Sequence, residues 1–298
     1  MRHYEAIQRA ALDVTDYVFV STRHEAGLVR KAGIDNARTA MLPNGADPDQ
    51  HTCWGPELNT ATLVFVGNLY YEPNARAVEV IRTTILPSLR AQGLDAHVRV
   101  IGRGPTELTT PAEGLEFTGR VDSINGALRG ATLALAPLTA GSGAKMKVLD
   151  YLAAGLPVLG TSEAVTGLST NHPGVVVEDD LSVWPSMLAA LLRDRIALRE
   201  IGTDGRLSVE RELSWQHIGS NLLRHIHIWL ATPAPELSRK AATGALSVPR
   251  WLVEHTGHNA LGSPEITRPG QPHWLRRADA YASDAQPGDV RADGQPTL

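Results

Sequence analysis

One cysteine, Cys53, is present among 298 residues. A disulfide framework within the chain is therefore excluded, and a reducing compartment is expected. No sign of charge dominates: 28 Lys+Arg stand against 32 Asp+Glu, a net charge of −4 at pH 7. That leaves no general basic field to hold nucleic acid. No apolar run approaches the roughly 20 residues of a membrane span. The opening Met1-Arg2-His3-Tyr4-Glu5 has no signal-peptide core. These absences predict a cytoplasmic protein with no nucleic-acid partner. The length suits one large domain or two ordinary ones, and no internal repeat is visible.

Several catalytic signatures are missing too. Gly141-Ser142-Gly143 is followed by Lys145 but lacks the Gly-Lys-Ser/Thr ending of a P-loop. Gly102-Arg103-Gly104-Pro105 lacks the third glycine of a dinucleotide fingerprint, and Pro105 occupies the turn, which argues against nicotinamide or flavin. Arg103 is read instead as lying near a nucleotide. Ser123, Ser162 and Ser169 have no Gly-x-Ser-x-Gly context. His255 and His258 are spaced like metal ligands without a third partner, so neither a metal nor a cofactor is expected.

What is present is an alternation of short apolar runs and amphipathic stretches. Strands are expected at 62–66, 97–101, 115–117, 132–136, 157–159 and 175–177. Helices are expected from 73, at 124–128 and 144–154, and up to 194. The helix from 73 has an apolar stripe of Val78, Ile81, Ile85 and Leu89, which Pro87 should break or restart. This pattern predicts an α/β fold, a Rossmann-like parallel sheet with helices on both faces and ligands at the carboxyl ends of its strands. Gly67, Gly102 and the 141–143 loop all follow strands, so they should share one edge and one site.

Before this unit the chain reads as helix 2–12, strand 17–20, helix 25–32 and strand 38–42. Residues 46–59 have no period and read as a linker. After it come a polar, peripheral helix at 196–209 and a last helix capped by Ser214, with Trp215, Ile218, Leu222 and Trp229 as its stripe. Prolines scattered from Pro233 to Pro296 give a tail at 232–298 that should not fold alone.

The stretch from Pro137 to Gly160 organises the rest. A strand, a glycine turn and a helix N-terminus leave unpaired backbone N–H groups facing a favourable dipole, a ready anion site. Lys147 and Asp150 are three apart and share a helix face, with Leu149, Leu152 and Ala153 opposite. Lys145, in the first turn, opposes the dipole, which makes most sense with an anion in front of it. The alternative reading is a solvated helix carrying one Lys–Asp surface pair, worth about 0.3 kcal/mol.

Ordered blocks carry a family resemblance over roughly residues 16–229. They are Asp16-Tyr17-Val18-Phe19-Val20-Ser21, Leu42-Pro43-Asn44-Gly45-Ala46-Asp47, Phe65-Val66-Gly67-Asn68 and Pro73-Asn74-Ala75 with Ile85-Leu86-Pro87. Next come Val100-Ile101-Gly102-Arg103-Gly104-Pro105, Phe117-Thr118-Gly119-Arg120-Val121, and Pro137-Leu138 through Gly155-Leu156-Pro157-Val158. In order and spacing they resemble the C-terminal, donor-binding half of a GT-B retaining glycosyltransferase of the group-one (family four-like) kind.

The resemblance implies three regions: 1–47 as the remnant of an N-terminal acceptor domain and its crossover, 48–231 as the nucleotide-sugar domain, and 232–298 as the tail. It implies transfer of a sugar from a nucleotide-diphosphate donor to a glycan or lipid-linked acceptor with retention. Any peripheral membrane contact would belong to the N-terminal domain, most of which the match leaves out. Lys145 and Lys147 would neutralise the leaving diphosphate, and Asp150 would accept the ribose hydroxyls. Gly67 and Asn68 would approach the diphosphate or the acceptor side. Gly141, Ser142 and Gly143 would give backbone donors or sugar contacts, and Arg120 and Val121 would hold the base. Three positions depart from the family pattern: Asp150 for a glutamate, Lys145 for an arginine, and Ser142 for a carboxylate. A non-catalytic nucleotide-binding or interaction module derived from such an enzyme is the alternative.

Overall fold

In the computed structural model the described residues are 11–12, 15–34, 36–141, 143–169 and 171–231. All lie in the first of two units of the chain, Met1–Gly244; the second, Ala245–Leu298, lies outside them. The expected helix at 2–12, apart from its last two residues, Ser142 and the tail at 232–298 also lie outside the described residues.

Six strands form one parallel sheet: β3 (Thr62–Val66), β4 (His97–Ile101), β5 (Leu115–Gly119), β6 (Leu133–Ala136), β7 (Val158–Gly160) and β8 (Val175–Val177). Their spatial order is β5-β4-β3-β6-β7-β8. Leu63, Val64, Phe65 and Val66 are all buried, as is every residue of β6. Burial at both parities means that both faces are covered, as the apolar runs predict. The strand order reverses between β3 and β6, which pair with each other. At such a point the connections leave in opposite directions and open a crevice at the carboxyl ends of the strands. Two short strands, β1 (Val18–Val20) and β2 (Thr39–Met41), pair in parallel beside α1 (Arg23–Lys31). Thr22 and Glu25 close a reciprocal capping box on α1.

Pro87 does not break its helix. α2 (Glu72–Val80) continues through a π turn at Ile81–Ile85 into α3 (Leu86–Ala91). The wide turn absorbs the ring and the missing donor. It keeps Val78, Ile81, Ile85 and Leu89 on one fully buried stripe. Two short helices, α4 (Thr106–Thr109) and α5 (Ile124–Ala127), flank β5.

After the sheet come α7 (Trp184–Arg193), α8 (Arg195–Arg211) and α9 (Trp215–Ala231). Ser214 caps α9 through the His217 N–H as expected, but Trp215 is 49% exposed rather than part of the buried stripe. No helix among the described residues is long and apolar enough to cross a membrane.

Residues 46–59 are a docked strap, not a linker, and α8 is not peripheral. Ala46 bridges to Ser214, Trp54 Nε1 donates to the Asn125 carbonyl, and the Glu57 N–H donates to the Ala131 carbonyl. Arg206 of α8 clamps the strap. Its guanidinium donates to the carbonyls of Pro48, His51 and Ala153 at 2.8, 2.9 and 2.6 Å. A long-range clamp of this kind leaves no periodic signal in either segment. Arg206→Leu should cost about 2–3 kcal/mol by stripping carbonyls of a charged donor. Limited proteolysis should then cut within 46–59 in the variant and not in the parent; equal resistance would refute the clamp.

His172, buried against α8, holds β8 in place. Its Nδ1 accepts from the Gly174 N–H at 3.2 Å, so Nε2 carries the proton and donates to Ser208 Oγ at 2.8 Å. Only the neutral ring satisfies both bonds. Burial pushes its pKa below the ordinary 6.5, partly opposed by the charge of Glu212. The unfolded chain therefore binds the extra proton first, and stability must fall as pH drops below about 6.5. A melting series from pH 8 to 5 should show this slope, and His172→Gln should flatten it.

Candidate functional site

α6 (Met146–Ala153) follows β6 and faces the crevice. It starts two residues later than expected because Lys145, at the cap position, is extended (φ −94°, ψ 93°). It ends as the sequence predicts. Gly155 takes φ 73°, its N–H reaches the Leu152 carbonyl, and the Leu156 N–H reaches the Tyr151 carbonyl. That pair of bonds is a Schellman cap. Val148, Leu149, Tyr151, Leu152 and Ala153 are buried. The Tyr151 hydroxyl accepts from the Val66 N–H at 2.6 Å, which fixes α6 to the end of β3.

The other face of α6 carries Lys147 and Asp150, but they do not form the surface pair of the alternative reading. Lys147 Nζ donates to Asn74 Oδ1 at 2.6 Å and lies 4.3 Å from the centroid of the Phe65 ring. Neither neighbour is a carboxylate. Burial, with the nearby charge of Lys145, lowers its pKa from 10.5 to about 7. Asn74 in turn donates from Nδ2 to the Asn68 carbonyl at 2.9 Å. The ammonium is thus tied to the Gly67-Asn68 turn at the end of β3.

Lys145 has a different setting. Its Nζ donates to the Gly143 carbonyl at 2.8 Å and to Glu163 Oε1 at 2.9 Å, with the side chain only 9% exposed. It lines a small cleft with Asn44, Ala144 and Gly167. Asp150 points to the strap, where His51 Nε2 lies 3.4 Å from Oδ1. Burial raises the Asp150 pKa, and His51 pulls it back down.

Beside these groups, a cavity of about 240 Å³ brings together Gly67, Asn68, Arg103, Arg120 and Val121, five of the sequence-predicted residues. Gly102 forms its floor at φ 148°. A side chain there would overlap the Gly67 carbonyl oxygen. Close approach of two strand ends, not a turn alone, requires that glycine. Lys145, Lys147, Asp150, Gly141 and Gly143 do not line this cavity. Among them Lys147 is joined to its lining, through Asn74 to Asn68, while Lys145 lines the separate small cleft and Asp150 turns to the strap. Ser142 lies outside the described residues.

Sequence reasoning assigned no role to His51, Asn74 or Glu163. Asn74 sits inside the quoted Pro73-Asn74-Ala75 block, so a signal was present; His51 and Glu163 lie in stretches without period.

The match that decides the class lies on this architecture: residues 60–194 match the family Glycosyl transferases group 1. Over these residues the chain is similar to a glycosyltransferase domain. The chain is also 30% identical over 207 residues to a Corynebacterium glutamicum protein, the GDP-mannose-dependent monoacylated alpha-(1-6)-phosphatidylinositol monomannoside mannosyltransferase. That alignment covers 61% of this chain and 54% of the relative, so the chain spans about half of that relative's length. Among solved structures it resembles Anabaena HepE in complex with UDP and glucose, with a TM-score of 0.56, 11% identity, and 72% of this chain and 63% of that one covered. Sucrose-phosphate synthase from Thermosynechococcus elongatus gives a TM-score of 0.58 at 16% identity, over 76% of this chain and 62% of that one. The sheet and its flanking helices have the fold of the C-terminal domain of a GT-B enzyme.

Proposed function

We propose that this domain binds a nucleotide-diphosphate sugar and serves transfer of that sugar, with retention, to a glycan or lipid-linked acceptor. The observation that carries this reading is Lys147, a buried ammonium held at the strand-order reversal without a compensating carboxylate among the described residues. A diphosphate supplies the missing negative charge, and in the transition state it gathers charge as the glycosidic bond to the sugar breaks. Lys147 meets that charge directly. Lys145 adds a second positive group once it exchanges Glu163 for phosphate. Backbone groups around Gly141 and Gly143 and the first turn of α6 face the same anion. Arg120 and Val121 hold the base in the 240 Å³ cavity, with Arg103 at its edge, and Asp150 accepts the ribose hydroxyls. The bound donor is the substrate; the reading needs no metal or other cofactor.

The test is calorimetric titration of the full chain with GDP, UDP and ADP. GDP comes first because the Corynebacterium relative is named for GDP-mannose. Saturable binding to one of them is expected, and no binding at millimolar nucleotide would overturn the reading. Binding without transfer or donor hydrolysis would favour the non-catalytic module, for which the ion pair between Lys145 and Glu163 already speaks.

A further inference from the structure

His51 reaches Asp150 from outside the sheet, and its hydrogen bonds fix where its protons are. Its Nδ1 lies 2.8 Å from the Asp47 carbonyl oxygen. A carbonyl only accepts, so Nδ1 carries a proton. The neutral ring would then turn a bare Nε2 lone pair toward Asp150 Oδ1, 3.4 Å away. Two acceptors facing each other repel. The contact is favourable only when the pair holds one further proton, as imidazolium beside carboxylate or imidazole beside carboxylic acid. The side chains are 19% and 26% exposed, so solvent screens this contact only in part.

The ring cannot easily turn away. The Asp47 carboxylate caps the Pro48–Gln50 turn through the Asp49 N–H at 3.0 Å. Arg206 holds the backbone of Pro48 and His51 while paired with Glu210. Asn125 of α5 holds Thr52. Among the described residues, the charged or titratable groups around the pair are Asp47 and Asp49 on the strap, Arg206 with its partner Glu210 on α8, Lys147 one turn up α6, and Tyr151, which interacts with Asp150. A ring fixed in this way sets the plane of the carboxylate. It engages Oδ1.

We propose that His51 is a positioning residue for nucleotide recognition: it supplies the proton that holds Asp150 in place, so selection of a ribose depends on the protonation of the His51–Asp150 pair. This rests on the assignment of Asp150 to ribose made above. Asp150 touches the ligand, and His51 acts through it.

The experiment uses the full chain and compares Kd for GDP, UDP and ADP with their 2′-deoxy counterparts at pH 6 and pH 9. The readout is the ratio of deoxy to ribo Kd. Titration of Lys147 changes both affinities alike and cancels in the ratio. The parent should prefer the ribonucleotide about tenfold at pH 6, as expected for one hydrogen bond to a charged group, and about threefold or less at pH 9. His51→Phe keeps a ring without a donor and should bring the ratio near one at both pH values. His51→Gln brings an uncharged donor and should keep a preference that no longer varies with pH. Thermal melts of all three proteins establish folding, and the Gln variant preserves the test if Phe disrupts the strap. An unchanged, pH-dependent preference in both variants would overturn the proposal. Loss of the preference in Asp150→Asn but not in His51→Phe would overturn it while leaving the ribose assignment standing. Failure of every nucleotide to bind the parent would remove the reading underneath.

Discussion

Replacing Lys147 by methionine should weaken nucleoside diphosphate binding about 10- to 100-fold while leaving the fold as stable as before or more so. The loss follows from removing one charge-assisted bond to phosphate, about 1.5–3 kcal/mol. The stability follows from burial. Methionine keeps an unbranched apolar stem against Phe65 but brings no ammonium into a poorly solvated site. The sign can be checked through pH. The folded pKa of about 7 lies below the ordinary 10.5, so the unfolded chain binds more protons between those values. Parent stability should therefore rise with pH from about 7 to about 10.5, and the variant should lose that rise. Ligand binding runs the other way, because a diphosphate favours the charged lysine. Calorimetry at pH 8 in buffers of different ionisation enthalpy should detect proton uptake in the parent and none from this site in Lys147→Met. Unchanged affinity in the variant would remove Lys147 from the site.

Gly102→Ala should cost about 3 kcal/mol or more, since a strained φ is joined by overlap with backbone that cannot swing aside. The overlap is with the Gly67 carbonyl, and φ is 148°. For a domain of this size that is a fall in Tm of roughly 6–12 °C. Nucleotide binding should fall as well, because relieving the overlap moves the Gly67-Asn68 turn, and with it Asn74 and the bond it makes to Lys147. A variant with parent-like melting and affinity would show that the two strand ends can separate freely.

The sheet was legible from the sequence because its strands are buried on both faces and read as plain apolar runs. The stop of α6 was legible because Gly155 is the residue that a left-handed cap requires. Five cavity residues were legible because glycine turns after parallel strands must gather at one edge. What escaped the sequence depends on tertiary placement. Pro87 was expected to break or restart a helix; it sits in the first turn of a helix that restarts at Leu86, but the π turn that keeps the two pieces continuous depends on packing. Residues 46–59 have no period because carbonyls and an arginine from elsewhere, not an apolar stripe, hold them. The partner of Lys145 is Glu163, 18 positions away across a strand. The partner of Asp150 is His51, about a hundred residues earlier in the chain. Local patterns place such side chains on elements but do not say which one each will meet.

The strap has a consequence for the order in which the protein matures during synthesis. The anchors of its first part, residues 46–51, are Arg206 and Ser214, made more than 150 residues later, and Asp150 follows His51 by about a hundred. The sheet through β8 can collapse, with Trp54 and Glu57 already paired to Asn125 and Ala131, while residues 46–51 still lack their clamp, because domains form as their segments leave the ribosome. Nascent chains halted before Arg206 should therefore carry a finished sheet beside which His51 is not yet clamped.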